Sequence, residues 1–492
     1  MSFYVTTAIP YVNAAPHLGH ALELVQADVL ARHRRLRGQP VRFLTGTDEN
    51  ALKNVTAAAA ARTEVSAFVA ANAERFAGLA KALDLSFDDF IRTGSDRRHA
   101  PGVERLWRQS AARGDFYRRG YDGLYCPGCE QFYEAADLPG GLCPEHRVAP
   151  EQVTESNWFF RLSRYTEDVL AALESGRVRI EPAARRNEVL SFVRAGLTDI
   201  SVSRPASRAA GWGIPVPDDP GQVVYVWWDA LANYVTALGY GSDDTAYRAW
   251  WLDGTERVHV IGKGILRFHA VNWLALLLSA GQPLPTAVFV HEYLTVDGAK
   301  LSKTAGNAVS PYDLVERYGS DALRWWLLRD VAGLGDTDFT ERRLLTRYHQ
   351  DLANGLGNLV NRTVSLVHKY RHGTVPVGRG LTDLCAGLPA DIDAALSVFD
   401  FRAATDAIWS IVAAANRLVE AERPWELAKR DGERLDAVLT TLVEACRRVA
   451  LELSPFLPDG ATRISAQLGA GLRVARPEPV FPRLAVPPGD VE

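Results

Sequence analysis

The most constraining feature of this chain is how it begins. Residues 3–9 are a short apolar, β-branched run, and a loop carrying Pro10, Asn13 and Pro16 follows. Apolar residues then recur at helical spacing: Leu18, Leu22, Val25, Val29, Leu30 and Leu36. Gly38 interrupts the pattern, and residues 41–45 read as a second strand. A strand returned by a helix to another strand implies a parallel sheet covered by helices, an α/β architecture suited to nucleotides.

The remainder shows more than one domain. The chain has 492 residues, and a single hydrophobic core rarely grows beyond about 250–300 residues. With 47% hydrophobic and 23% charged residues it can bury a large core. Apolar segments at 223–228, 258–261 and 287–290 are expected to complete the sheet. Between them, residues 115–160 hold cysteines, Gly, Pro and aromatics, as in a small insertion held by something other than a core. Beyond residue 320 the segments 322–328, 344–370, 401–421 and 435–453 carry helical periodicity, which predicts a helical bundle. Residues 477–492 are Pro-rich and read as a loose tail. The expected segments are 1–114 and 221–319 for the two halves of the sheet domain, 115–220 for the insertion, 320–475 for the bundle and 476–492 for the tail.

Several classes are excluded. No uncharged apolar run approaches the roughly 18 residues of a membrane span, and no basic region followed by an apolar stretch opens the chain. Five cysteines, three of them between 126 and 143, do not form a disulfide framework, so a reducing cytoplasmic location is expected. A net charge of -4 argues against a basic nucleic-acid coat but leaves room for a local basic groove.

Two motifs suit phosphate chemistry. His17-Leu18-Gly19-His20 stands at the predicted start of the first helix, with both imidazoles on one face of its first turn. Gly19 leaves room for a ligand, and free N–H groups at a helix start attract anions. Alone, these four residues read more readily as a structural HxxH or a helix cap. Far along the chain, Lys300-Leu301-Ser302-Lys303-Thr304 follows Asp297-Gly298-Ala299, giving two lysines on a Gly-flanked loop. Lysine serves as a flexible point charge on phosphate oxygens.

Cys126-Pro127-Gly128-Cys129 is followed after 13 residues by Cys143-Pro144-Glu145-His146. This spacing can set three thiolates and one imidazole tetrahedrally around one Zn2+ ion. All four ligand positions are filled, so the metal's role is structural.

The pair HLGH and KLSKT, in this order, resembles the HIGH and KMSKS signatures of class I aminoacyl-tRNA synthetases. Further stretches resemble the methionyl-tRNA synthetases over almost the whole chain: residues 8–13, Gly46-Thr47-Asp48-Glu49, residues 225–234, Ile261-Gly262-Lys263 and residues 268–273. The knuckle, with histidine fourth, is similar to that of a single-zinc branch of the family. The resemblance implies a Rossmann-like parallel-sheet catalytic domain with a zinc-knuckle insertion, then an all-α helical-bundle anticodon-binding domain. It implies ATP with Mg2+ and methionine as substrates, tRNA(Met) as partner, and a monomer. His17, Gly19, His20, Lys300, Ser302 and Lys303 match the ATP-binding positions, and the two histidines and two lysines match the catalytic ones. For the amino acid it implies Ile9, Tyr11, Asp48, Trp227, Tyr234, Phe268, His269 and Trp273. A thioether makes favourable contacts with aromatic rings, which fits such walls, and Asp48 suits the substrate ammonium. Asn358, Arg362 and Trp425 match residues that read the CAU anticodon, by hydrogen bonding and stacking on splayed bases.

The chain departs from the family pattern at three places. Asn50-Ala51 follows Glu49 where the family has GTDEHG, Gly264 replaces an Asp, and His291-Glu292-Tyr293-Leu294-Thr295 is unusual. These departures motivate a competing reading, an adenylating ligase that passes the aminoacyl group to a small acceptor. A catalytically silent tRNA-binding module is a third. Asn358, Arg362 and Trp425 weigh against the ligase, and the intact phosphate motifs against the silent module.

Overall fold

The computed structural model describes residues 2–126, 131–144, 147–300, 308–381 and 383–485. Two compact units emerge from its contacts: Met1–Pro16 with Gly38–Gly78 and Phe87–His291, and His17–Arg37 with Leu79–Ser86 and Glu292–Glu492.

Among the described residues of the first unit, six strands form one parallel sheet. Its order is Asp89–Arg92, Val41–Thr47, Phe3–Thr7, Glu256–Gly262, Ala287–His291 and Arg179–Glu181. The central strand Phe3–Thr7 is buried at every residue, which explains its continuous rather than alternating apolar pattern. Its two threonines satisfy their hydroxyls sideways: Thr6 Oγ1 lies 2.7 Å from His259 Nδ1, and Thr7 Oγ1 2.7 Å from Thr45 Oγ1.

Two of the three segments expected to complete the sheet do so, but 223–228 does not. Asp219–Val224 instead pairs antiparallel with Ser203–Pro205 and Pro215–Val216 in a separate sheet, and the chain turns helical over Val226–Leu231. The aromatic run has strand propensity, yet the helix sets Trp228 against Trp107, Phe116 and Phe160, with ring centroids 5.3–5.7 Å away. Packing overrides local preference here. In the insertion, Phe116–Cys126 pairs antiparallel with Glu151–Phe160 over ten residue pairs, so Cys126 stands at the end of a hydrogen-bonded strand.

The second unit is mainly helical. The helices Ser320–Arg329, Asn358–Arg371, Phe401–Glu422 and Gly432–Leu453 agree with the predicted periodicity. Shorter ones, Leu388–Ser397, Pro424–Arg430 and Pro458–Leu468, were not visible as periodic segments. Helix Leu18–Leu36, read from sequence as part of the sheet domain, groups with this unit. The reason is a buried knot. Arg324 Nη2 donates to Asp28 Oδ2 at 2.8 Å with both side chains fully buried, and the guanidinium also donates to the carbonyls of Leu83, Pro455 and Phe456.

The Pro-rich end is docked rather than loose as far as it is described. Val480 and Phe481 are buried, the Tyr348 hydroxyl donates to the Pro482 carbonyl at 2.8 Å, and a Cβ on Gly460 would lie 2.7 Å from the Phe481 ring.

Candidate active site

His17 caps the helix Leu18–Leu36. Its Nδ1 accepts from the Gly19 N–H at 3.1 Å, and His20 Nδ1 accepts from the His17 N–H at 3.1 Å. An Nδ1 that accepts leaves the ring hydrogen on Nε2, so the cap fixes the tautomer and gives each imidazole an Nε2–H donor. The two rings stack with centroids 3.8 Å apart. Gly19 has a second reason to be glycine: a Cβ there would lie 3.0 Å from the His17 ring itself.

The loop of lysines is approached by a hairpin, Leu294–Val296 with Ala299–Lys300. Asp297 and Gly298 turn it with φ of 52° and 72°, as an Asp-Gly type I′ turn requires. Asp338 Oδ1 accepts from the Thr295 hydroxyl at 2.8 Å and the Gly298 N–H at 3.0 Å. Those two donors, Gly298 first, hold its carboxyl below the usual range. Ser302, Lys303 and the Lys300 side chain lie outside the described residues. On the far side of the loop, the Leu18 N–H donates to the Val309 carbonyl at 2.9 Å.

In the first unit, Tyr11 and Asp48 pair through their backbones, and the Asp48 N–H donates to Pro10 O at 2.9 Å. Trp227 stacks face to face on Phe268 with centroids 3.8 Å apart and planes 8° from parallel, and Tyr11 meets Trp227 edge-on at 6.2 Å. Ile9, Tyr11, Trp227 and Phe268 are half-buried.

Tyr234, His269 and Trp273 lie deeper, each fully buried. His269 Nδ1 donates to Ile265 O at 3.0 Å, which leaves Nε2 to accept from the Tyr234 hydroxyl at 2.7 Å. Burial, only partly offset by the Ile265 carbonyl, pushes His269 down to about 4, so it is neutral at physiological pH. Trp273 Nε1 donates to His259 Nε2 at 3.1 Å, and burial lowers His259 as well.

Three residues that sequence reasoning did not assign join this group. Asp229, fully buried, accepts from Asn50 Nδ2 at 2.7 Å and from His99 Nε2 at 2.5 Å. His99 Nδ1 lies 2.8 Å from Thr236 Oγ1. No local motif marks His99, because its partners are more than a hundred residues away.

Cys126 and Cys143 are both fully buried and form no disulfide. The chain reverses at Cys143, whose N–H donates to Val148 O while the Arg147 N–H donates to Cys143 O. Cys129 and His146 lie outside the described residues. Of the other cysteines, both buried, Cys446 lies in the helix Gly432–Leu453 and Cys385 in a turn. In the second unit Asn358 begins the helix Asn358–Arg371, directly after the π-helical stretch Tyr348–Gly357. A Cβ on Gly357 would meet the Leu352 carbonyl at 2.8 Å, so glycine permits this widened turn. The side chains of Asn358 and Arg362 make no hydrogen bond or ion pair among the described residues, and Trp425 is 40% exposed.

Comparison with known proteins identifies the family. A family model described as tRNA synthetases class I (M) matches residues 3–154 and 146–364. The methionine-tRNA ligase of Rhizobium meliloti is 40% identical over 515 residues, covering 99% of this chain and 98% of that protein. That of Mycobacterium bovis is 41% identical over 519 residues, with 99% and 98% covered. Among solved structures, Mycobacterium tuberculosis methionyl-tRNA synthetase in complex with methionyl-adenylate superposes with a TM-score of 0.90 at 39% identity, covering 98% of this chain and all of that one. Its apo form gives 0.84 at 37% identity, with 99% of each chain covered. The chain therefore belongs to the methionine-tRNA ligases, the methionine members of the class I tRNA synthetases.

Proposed function

We infer that the protein activates methionine with ATP and transfers it to tRNA(Met). The observation that carries this reading is the Trp227–Phe268 stack with Tyr11 edge-on, on the same unit as the buried Asp48 carboxylate. Aromatic faces suit a soft thioether, and a buried carboxylate suits an ammonium.

In the first step the methionine carboxylate attacks the α-phosphate of ATP, forming methionyl-adenylate and releasing pyrophosphate. Asp48 anchors the amine. Ile9, Tyr11, Trp227 and Phe268 wall the side chain, with Tyr234, His269 and Trp273 behind them. His17 and His20 donate from Nε2 to phosphate oxygens, Gly19 lets the His17 ring fold over the turn, and Lys300, Ser302 and Lys303 complete the triphosphate's partners. These groups offset the charge that grows on the departing pyrophosphate. Mg2+ enters with ATP as part of the substrate. In the second step the terminal ribose hydroxyl of tRNA attacks the mixed anhydride. Acceleration comes from positioning and electrostatics rather than from a protein nucleophile.

Cys126, Cys129, Cys143 and His146 would hold one structural Zn2+ that braces the insertion. The burial of Cys126 and Cys143 fits that donor set, since thiolates withdrawn from water need a cation. Asn358, Arg362 and Trp425 read the anticodon, and their available side chains support the assignment. The protein acts as a monomer in the cytoplasm; no described helix is long and apolar enough to cross a membrane.

Amino-acid-dependent ATP–pyrophosphate exchange across all twenty amino acids, followed by charging of initiator and elongator tRNA, tests this reading. Methionine alone should support rapid exchange and charging. Exchange with no charging of either tRNA would mark the small-acceptor ligase instead, and no methionine-dependent exchange would refute both the substrate and its pocket.

A further inference from the structure

We propose that Asn50 is a positioning residue for the substrate amine, holding the two buried carboxylates Asp48 and Asp229 through its main chain and side chain at once. This rests on the function proposed above.

The Asn50 N–H donates to Asp48 Oδ1 at 3.1 Å, and its side-chain Nδ2 donates to Asp229 Oδ2 at 2.7 Å. The orientation of the amide is determined by its surroundings. Nδ2 faces Asp229 and, at 3.5 Å, the Thr93 carbonyl, and both can only accept. Oδ1 faces Gly94, where a Cβ would lie 3.4 Å from Oδ1 and 2.8 Å from Glu49 Oε2. The missing side chain at Gly94 thus leaves room for Glu49 and Asn50 beneath the loop.

Asp229 is the fixed end of this arrangement. It lies on the helix Val226–Leu231, two residues beyond Trp227, and His99 holds its second oxygen. Asp48 is anchored at its backbone, by Pro10 and by the Asn54 side chain, which donates to Asp48 O at 3.1 Å. Asn50 adds a main-chain donor to its carboxylate. A displaced Asn50 side chain would carry its own N–H away from Asp48 Oδ1, and the carboxylate meant for the ammonium would turn. Because Asp229 shares a short helix with Trp227, the same link sets the amine anchor against the aromatic wall. An amide does this without charge, leaving Asp48 undiminished as the ammonium's partner. The family pattern carries histidine at this position, whose ring N–H could serve the same acceptor.

Steady-state ATP–pyrophosphate exchange with Asn50 variants tests the proposal. Loss of a hydrogen bond to a buried charge predicts that Asn50→Ala raises the methionine KM about tenfold or more, with kcat, the KM for ATP and the melting temperature little changed. Asn50→His should recover the methionine KM to within about threefold of wild type, because it restores a donor. An unchanged methionine KM in Asn50→Ala, with wild type active, overturns the role of Asn50 and leaves the function standing. A joint rise of both KM values with a falling melting temperature also overturns it, since that is a structural role only. If Asn50→Ala does not fold, Asn50→Ser decides: its hydroxyl is too short to reach Asp229, and an unchanged methionine KM there refutes the proposal. Wild-type protein without methionine-dependent exchange overturns both readings.

Discussion

The main-chain N–H of Leu18 donates to the carbonyl of Val309 at 2.9 Å, joining the first turn of the histidine-bearing helix to the chain just beyond the lysine loop. Before that loop, the hairpin ending at Lys300 is held to Asp338 through Thr295 and Gly298. The described chain is thus anchored on both sides of the lysine loop, on the far side to the turn that carries His17 and His20. Residues separated by most of the catalytic half of the sequence share one neighbourhood, as a single triphosphate site requires.

The histidines should be separable into cap and donor. Asn is a good N-cap, so His17→Asn keeps an acceptor for the Gly19 N–H while removing the Nε2–H. We expect a melting temperature near wild type and pyrophosphate exchange reduced about a hundredfold, the usual loss for one preorganised donor. Unchanged exchange in a folded His17→Asn protein would show that the imidazole is only a cap.

Metal analysis after purification without chelators should find about one zinc per chain, and Cys129→Ser should lose it. Burial pushes the Cys385 thiol up to about 11 and the Cys446 thiol up to about 12, so both stay protonated at neutral pH. Native thiol titration after chelation should therefore release the three knuckle cysteines and spare these two. Rapid reaction of Cys446 in folded protein would contradict its burial.

Acid should destabilise the first unit through its neutral histidines. His269 sits at about 4 in the fold against about 6.5 when unfolded, so below 6.5 the unfolded chain binds the extra proton. Stability should fall as pH drops through that window and level off below about 4, by up to about 3 kcal/mol from this residue. His259, also lowered by burial, acts in the same direction. His269→Gln should flatten this part of the stability profile measured by denaturant titration; an unaltered slope would exclude the assignment.

Breaking the buried ion pair should be among the costliest changes in the second unit. Asp28→Ala strands the Arg324 guanidinium among carbonyls, and Arg324→Ala strands Asp28, which also accepts from Ser86 and Arg32. Each single change should cost about 3–5 kcal/mol in unfolding free energy. A loss below 1 kcal/mol in both would mean the pair is not desolvated as its burial indicates.

Much of this was written in local pattern. The Phe3–Thr7 strand, the Leu18–Leu36 helix and the Val41–Thr47 strand announce themselves because apolar spacing reports which face each element buries. His17, Gly19 and His20 could be found for a similar reason: a cap is a contact between neighbours, and its residues must be adjacent in the chain. Long-range contacts decided what spacing does not encode. The run at 225–228 has strand propensity but packs as a helix, because only then do Trp228 and Asp229 reach Trp107 and His99. Helix Leu18–Leu36 groups with the C-terminal half because Asp28 needs Arg324, and the Pro-rich end docks because Gly460 leaves space for Phe481. His99, Asp229 and Asn50 form a network that no local motif signals, since hydrogen-bonding partners for buried charges are chosen by proximity in space, and the chain meets them only after folding.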